Sequence, residues 1–422
     1  MQFYLQTKVN NTIIKKTKTK KGKTSIINQI KYEYIIHEIN HASIFKKDYY
    51  EKGVGLSTKI LTRLFGKGTI VKQVLDDLQK WKFIIKVQES KYKKTSAKYK
   101  LHDSIIDLKI RIQDYDENDS VLIKKLELRN AENKKSYQGQ LEILKKFVMI
   151  NEKGKNHLIN KYGCLPYRNN KIDVFRRDCC LISILNSKFF SVRPHITSRV
   201  YSSFTSLCRD HRNYIQIDGK PMIMTDISNS QILLTVPLIH NYWNKIQNLN
   251  ITDIPQDVIK FQKLAETGHF YEHMAKSIGE IFTNEEDRKE FKKRVFSEIW
   301  FSENSRYMTL IKKAFVEEFP TIYHIIWQLK LEDHCNFAIS LQKFEASIMV
   351  DKVWKQMYDQ GKIVLTLHDA IICNNYEDLE LAKTLIRSEL LKFGLNPHFK
   401  DEECSDHLIT TSKNKVKEPV LC

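Results

Sequence analysis

The sequence predicts an α+β protein with a small basic domain near its N-terminal end, and three patterns predict it. Residues 30–102 read as helix, turn, helix and β-hairpin. Residues 103–165 carry apolar side chains at helical spacing among many Lys and Glu. From Lys171 onward, apolar runs of strand length alternate with helical segments. No internal repeat interrupts this order. The expected limits are a basic arm over 1–28, the small domain over 29–102, a helical connector over 103–190 and a catalytic region over 191–422.

A chain of 422 residues is long enough for two or three domains and a substantial core. With 13 Gly and 8 Pro it has little material for long flexible linkers. Lys and Arg number 69 against 50 acidic residues, a net charge of +19. Such a surplus points to a polyanionic partner, nucleic acid first. A codon bias toward Lys, Ile, Asn and Tyr accounts for only part of it.

The eight cysteines, at 164, 179, 180, 208, 335, 373, 404 and 422, form no CxxC pair. Neither a disulfide framework nor a zinc module is expected from them, and the adjacent His334-Cys335 reads as structural. Met1-Gln2-Phe3-Tyr4 leads into lysines without a long apolar run, unlike a secretory signal. No stretch approaches the roughly 18 apolar residues of a membrane span. The expectation is a reducing, cytoplasmic location without membrane contact.

Within the arm, Lys15-Lys16-Thr17-Lys18-Thr19-Lys20-Lys21-Gly22-Lys23 is a run suited to lying along phosphates. Ser57 is placed to cap a helix reaching Phe65. After Gly66-Lys67-Gly68, a second helix from Thr69 carries Ile70, Val71, Val74, Leu75 and Leu78 on one face. Strands over Phe83–Val87 and Ala97–Leu101 flank the basic loop Glu89-Ser90-Lys91-Tyr92-Lys93-Lys94. This arrangement resembles a winged helix, a family whose second helix enters the major groove while the wing touches backbone, and which also serves in protein interaction. Val121–Lys145 reads as one long helix or a helical pair.

Three later segments carry chemistry. Pro221-Met222-Ile223-Met224-Thr225-Asp226-Ile227-Ser228-Asn229-Ser230-Gln231 is an apolar strand ending in an aspartate before a helix. Lys362–Ile372 is a buried strand broken at its centre by His368-Asp369. Between them, Arg288, Lys292, Phe296 and Trp300 recur at steps of four along a helix. Nucleotidyl transfer uses two divalent metals about 4 Å apart, and magnesium takes hard carboxylate oxygens. Two aspartates on neighbouring apolar strands supply them, and a carboxylate in such a strand is costly unless a cation pairs with it. Two cations followed by two aromatics suit a triphosphate beside a base and sugar.

These segments, in this order, resemble the palm and fingers motifs of the family A DNA polymerases and the related single-subunit RNA polymerases. The resemblance spans about residues 190–400. It implies a right-hand palm with helical fingers and thumb, and two Mg²⁺ ions, with Mn²⁺ as a substitute, held by Asp226, Asp369 and the Ile227 carbonyl. Ser228 and Gln231 would border the nucleotide, and Arg288 and Lys292 would hold its phosphates. Phe296 and Trp300 would lie beside its base and sugar. Lys292 would protonate the leaving pyrophosphate, and His368 would position the primer end. Thr197-Ser198-Arg199 and Gln342, the latter opening a helix over Gln342–Val353, are similar to segments that approach the primer-template.

Departures limit the implied specificity. The family follows His-Asp with Glu, where this chain has Ala370. Its fingers motif ends in Tyr-Gly, where this chain has Trp300-Phe301. Counting from Asp226, Gln231 stands where a glutamate usually blocks a 2′-hydroxyl, and aligning the glutamines instead puts Leu233 there. No acidic cluster for a proofreading exonuclease occurs in residues 1–190. The expected activity is DNA synthesis from nucleoside triphosphates on a DNA primer-template. The alternatives are a primase-like RNA polymerase of the same superfamily and a degenerate palm that only binds nucleic acid. A lysine-rich chain of this kind also suits a phage, plasmid or other mobile element.

Overall fold

The computed structural model describes residues 2–6, 9, 11–13, 29–45, 49–90, 96–105, 109–116, 118, 120–133, 137–166, 173–247 and 254–403. The basic run at 15–23 and most of the hairpin tip, 91–95, lie outside the described residues. The chain divides into two compact units. The first comprises Met1–Lys135, Ile150–Phe189 and Ser206–Tyr214, and the second Ser136–Met149, Phe190–Thr205 and Ile215–Cys422.

In the first unit, Ser57 adopts extended backbone angles and its side chain accepts from the amide of Ile60, starting the helix Thr58–Phe65. Gly66, at φ 93°, ends it in a conformation that a Cβ would strain. The next helix, Gly68–Lys80, buries Val71, Val74, Leu75 and Leu78. Strands Ile84–Gln88 and Lys98–Leu101 form the hairpin, and Val54–Gly55 pairs with the free edge of the latter, completing a three-stranded sheet.

The start of the chain departs from the expected arm. Gln2–Leu5 is a strand, paired antiparallel with Lys109–Asp114, which in turn pairs with Asp173–Phe175. Phe3, Leu5, Val9 and Ile13 are buried in one core with Tyr34, Ile36, Leu61, Val74 and Ile123. Apolar side chains and a full backbone ladder offset the ordering of this short segment. The 103–190 stretch is likewise not one helical body. Its strands Lys109–Asp114 and Asp173–Phe175 belong to the first unit, whereas the helix Gln138–Phe147 lies in the second, where buried Gln140 donates to Thr366 Oγ1 at 2.7 Å. The other predicted helix of the pair is Val121–Asn133.

The second unit holds a four-stranded antiparallel sheet in the order Leu365–Leu367, Ala370–Cys373, Ile223–Ile227, Phe399–Glu403. The helix Tyr376–Leu391 packs on its two central strands with Leu379, Ala382, Ile386 and Leu390 buried. Residues 362–372 are not a single strand. His368-Asp369 is the two-residue turn of a hairpin, with His368 at φ 57°. Tight hairpin turns require such a positive angle, which His tolerates better than most residues. The helix expected from Gln342 begins earlier, at His334, because the side chain of Asp333 caps the Cys335 amide. It runs to Ile348 and widens into a π-type turn over Met349–Trp354.

Candidate active site

Strand register brings the two aspartates together. Asp226 lies opposite Ala370 in the antiparallel pair, and Leu367 lies opposite Ala370 on its other side. Asp369, one residue before Ala370 in the hairpin turn, is therefore at the same end of the sheet as Asp226. Beyond Asp226 the strand ends at Ile227, buried and paired with Phe399. Asn229 turns the chain in left-handed conformation, φ 55°, into the short helix Ser230–Leu233. That turn lets Ser230 Oγ donate to Asp369 Oδ2. Ser228 Oγ lies 3.0 Å from Nδ1 of His398.

Burial pushes the Asp226 carboxyl well above the usual carboxylate range. The charge of Asp369 pushes it the same way, and Lys292 pulls it back. Oδ1 of Asp226 is buried and accepts no hydrogen bond. A buried carboxylate oxygen without a donor is costly. Two adjacent carboxylates also repel unless a cation lies between them. The paired aspartates thus fit divalent cations that take hard oxygen ligands.

A third carboxyl, not singled out in the sequence, joins them. Glu345 is 1% exposed. Burial pushes it up to about 7, with the charge of Asp369 acting the same way and Arg199 and Gln231 opposing. Arg199 binds it at two points, Nε to Oε1 at 2.7 Å and Nη2 to Oε2 at 2.5 Å, and Gln231 Nε2 donates to Oε2 at 2.6 Å. Arg199 and Gln231, expected at the primer-template and at the nucleotide sugar, are tied to this carboxylate. Gln342, one turn earlier on the same helix, is half-buried.

The cationic helix is Glu285–Val295. Asn284 caps it, accepting from the amides of Glu286 and Asp287. Acidic residues fill its first turn and Lys292, Lys293 and Arg294 its last, the arrangement the helix dipole favours. The guanidinium of Arg288 lies 5.3 Å, and the ammonium of Lys292 5.7 Å, from the ring centre of Tyr271. Arg288 Nε also donates to Glu272 Oε1 at 2.5 Å. Lys292 is exposed and lies 5.9 Å from the ring centre of half-buried Phe296.

Trp300 sits elsewhere than expected. It is fully buried, parallel to the ring of Phe261 and edge-on to those of Phe270 and Phe315, and its Nε1 donates to Thr235 Oγ1 at 3.0 Å. The α-helix ends at Val295 and Phe296–Trp300 is a wider π-type turn, so the regular four-residue step of the predicted face is not kept up to Trp300. The last residue of the predicted face is thereby turned into the core.

Of the predicted set, the fold brings together Asp226, Asp369, Lys292, Gln231 and Arg199. His368 adjoins them through the turn, its ring edge-on to Tyr201 with centroids 5.8 Å apart. Ser230, Glu345 and Tyr271 carry no motif signal. Glu345 lies in the helical run Phe337–Ile348, where one acidic residue among apolar ones is the only hint.

No protein-family profile and no curated protein sequence matches the chain. Among solved structures, it is similar to the POL domain of Pol1 from M. smegmatis, determined in complex with DNA primer-template and dNTP. The TM-score is 0.31 and the sequence identity 10%, over 67% of this chain and 68% of that one.

Proposed function

We propose that the chain is a nucleotidyltransferase that extends a primer 3′-hydroxyl on a nucleic-acid template, with dNTPs as its first-choice substrates. The observation that carries this reading is the pair Asp226 and Asp369, side by side at neighbouring strand ends, with an undonated buried oxygen and Lys292 in their field. The residues that would hold two Mg²⁺ are Asp226, Asp369 and the Ile227 carbonyl. When bound, such ions activate the attacking hydroxyl and neutralise charge on the leaving oxygens.

The chain's own residues do the rest. The primer 3′-hydroxyl loses its proton to solvent as its oxygen bonds to the α-phosphorus, the bond from the α-phosphorus to the bridging oxygen breaks, and pyrophosphate leaves. Arg288 and Lys292 bind the phosphates, and Lys292 gives the leaving group its proton. Phe296 and Ser228 border the nucleotide, while Trp300 supports the helix from the core. Arg199 and Gln231 act through Glu345, which keeps the wall behind Asp369 rigid. His368 positions the primer end.

The helix–turn–helix–hairpin of the first unit serves, in this reading, as a winged helix on duplex DNA. Its Gly68–Lys80 helix exposes Thr69, Lys72, Gln73 and Lys80, chemistry suited to phosphates and base edges.

The test is extension of a labelled primer on a DNA template with Mg²⁺, using dNTPs or NTPs, with and without primer. Extension by the wild type, lost in Asp226→Asn and Asp369→Asn, supports the reading. Primer-free synthesis from NTPs moves the assignment to a primase-like enzyme. DNA binding without synthesis under every condition refutes polymerisation and leaves a binding protein.

A further inference from the structure

His157, Asp178 and His211 lie on three separate segments of the first unit: the helix Glu152–Tyr162, the 3₁₀ turn Arg176–Asp178 and the 3₁₀ segment Arg209–Tyr214. Their ligand atoms converge. Nε2 of His157 is 3.5 Å, and Nε2 of His211 3.4 Å, from one atom, Oδ1 of Asp178. All three atoms lie within 4.8 Å of one another.

Asp178 is fully buried. Its Oδ2 is held by Lys161 at 2.6 Å and by the hydroxyl of Tyr162, which turns Oδ1 toward the imidazoles. Yet Oδ1 accepts no hydrogen bond, and Nε2 of His157 is buried without one. Leaving such atoms unsatisfied is costly unless something takes the place of the missing partner.

The spacing indicates what that partner is. Ligand bonds of about 2.1 Å put the corners of a tetrahedron about 3.4 Å apart, which matches both measured edges. The outer surroundings also suit a metal. The Tyr214 hydroxyl lies 3.4 Å from Nδ1 of His157, and its ring stacks on both imidazoles at centroid distances of 5.0 and 5.8 Å. Contacts of this kind orient ligand rings.

We propose that His157, Asp178 and His211 bind one divalent transition metal of the zinc type. Two imidazoles and one carboxylate select such an ion over Mg²⁺, so the site is chemically distinct from the all-oxygen Asp226–Asp369 pair of the other unit. The metal pins two 3₁₀ segments to a helix and is a structural staple. Water completes its coordination.

The full-length protein, stripped with chelator, is titrated with Co²⁺ and then Zn²⁺. Visible absorption and the melting temperature are read. One equivalent of Co²⁺ with the intense bands of a tetrahedral site is expected, displaced by Zn²⁺, with melting raised by several degrees. Both effects disappear in His157→Gln and His211→Gln. His157 is 28% exposed, so its variant carries the test if the His211 variant does not fold. Both persist in the Asp226→Asn/Asp369→Asn double variant and in Cys335→Ser, which disrupts the exposed Asp333-His334-Cys335 group. Absence of a cobalt spectrum, its survival in His157→Gln, or its loss in Cys335→Ser overturns the proposal.

Discussion

Arg199 and Glu345, 146 residues apart in the chain, form a two-point ion pair in which the carboxylate is almost wholly enclosed. Gln231 completes its hydrogen bonding. Removing Arg199 leaves the enclosed Glu345 carboxylate unpaired and costs roughly 3–5 kcal/mol, whereas Glu345→Gln keeps the side-chain shape and leaves unpaired only Arg199, which is 16% exposed and reaches water. Arg199→Ala is therefore expected to destabilise the second unit severely, and Glu345→Gln much less. Urea denaturation midpoints decide it. Equal losses in the two variants would show that packing, not the pair, matters here.

The adjacency of Asp226 and Asp369 predicts opposite effects on stability and function. Asp369→Asn removes one of two neighbouring carboxylates and is expected to raise stability by about 1 kcal/mol in chelator. The same change is expected to abolish primer extension. Added Mg²⁺ should raise the wild-type melting temperature by mass action and leave the variant's nearly unmoved. A variant that melts lower than wild type without metal would contradict the electrostatic reading.

His37 predicts an acid-sensitive first unit. Its Nδ1 accepts from the backbone amide of Tyr4 at 3.1 Å, and its ring stacks on Phe3. Burial, then the neighbouring His41, holds it well below the ordinary imidazole range. The unfolded chain thus binds the proton more readily than the folded one. This contribution is intact above about pH 6.5 and is lost as pH falls below it toward the folded value. The melting temperature of wild type should drop more steeply between pH 7 and 5 than that of His37→Asn, which keeps an acceptor that does not titrate. Parallel curves would exclude His37 as the cause.

The aromatic core predicts a contrast along the cationic helix. Trp300→Ala empties a fully enclosed site and is expected to cost about 3–5 kcal/mol. Phe296→Ala, half-buried, should cost about half as much while weakening nucleotide binding. Denaturation midpoints and KM for the triphosphate separate the two. A nearly neutral Trp300→Ala would return that residue to the nucleotide side.

Local structure was readable where short-range chemistry governs it. The Ser57 cap, the Gly66 stop and the periodic Val71, Val74, Leu75 and Leu78 define the two N-terminal helices from neighbours alone. The continuous apolar run before Asp226 marks its strand in the same way. Misreadings arose where long-range pairing decides. Gln2–Leu5 looks like the beginning of a polar tail until Lys109–Asp114 supplies a ladder partner. The His368-Asp369 break looks like a flaw in one strand until the hairpin closes around it.

By itself, the sequence determined the residue types of the candidate site: two aspartates in apolar strands, and an Arg-Lys pair one helical turn apart. These follow from composition and spacing, because side-chain chemistry and helix period are local properties. Only the tertiary structure decided which of them meet. Strand register set Asp226 beside Asp369, the core claimed Trp300, and Glu345 and the His157–Asp178–His211 group emerged from segments far apart in the chain. Register and burial depend on the free energy of the whole packed unit, and spacing along a chain does not encode distance across it.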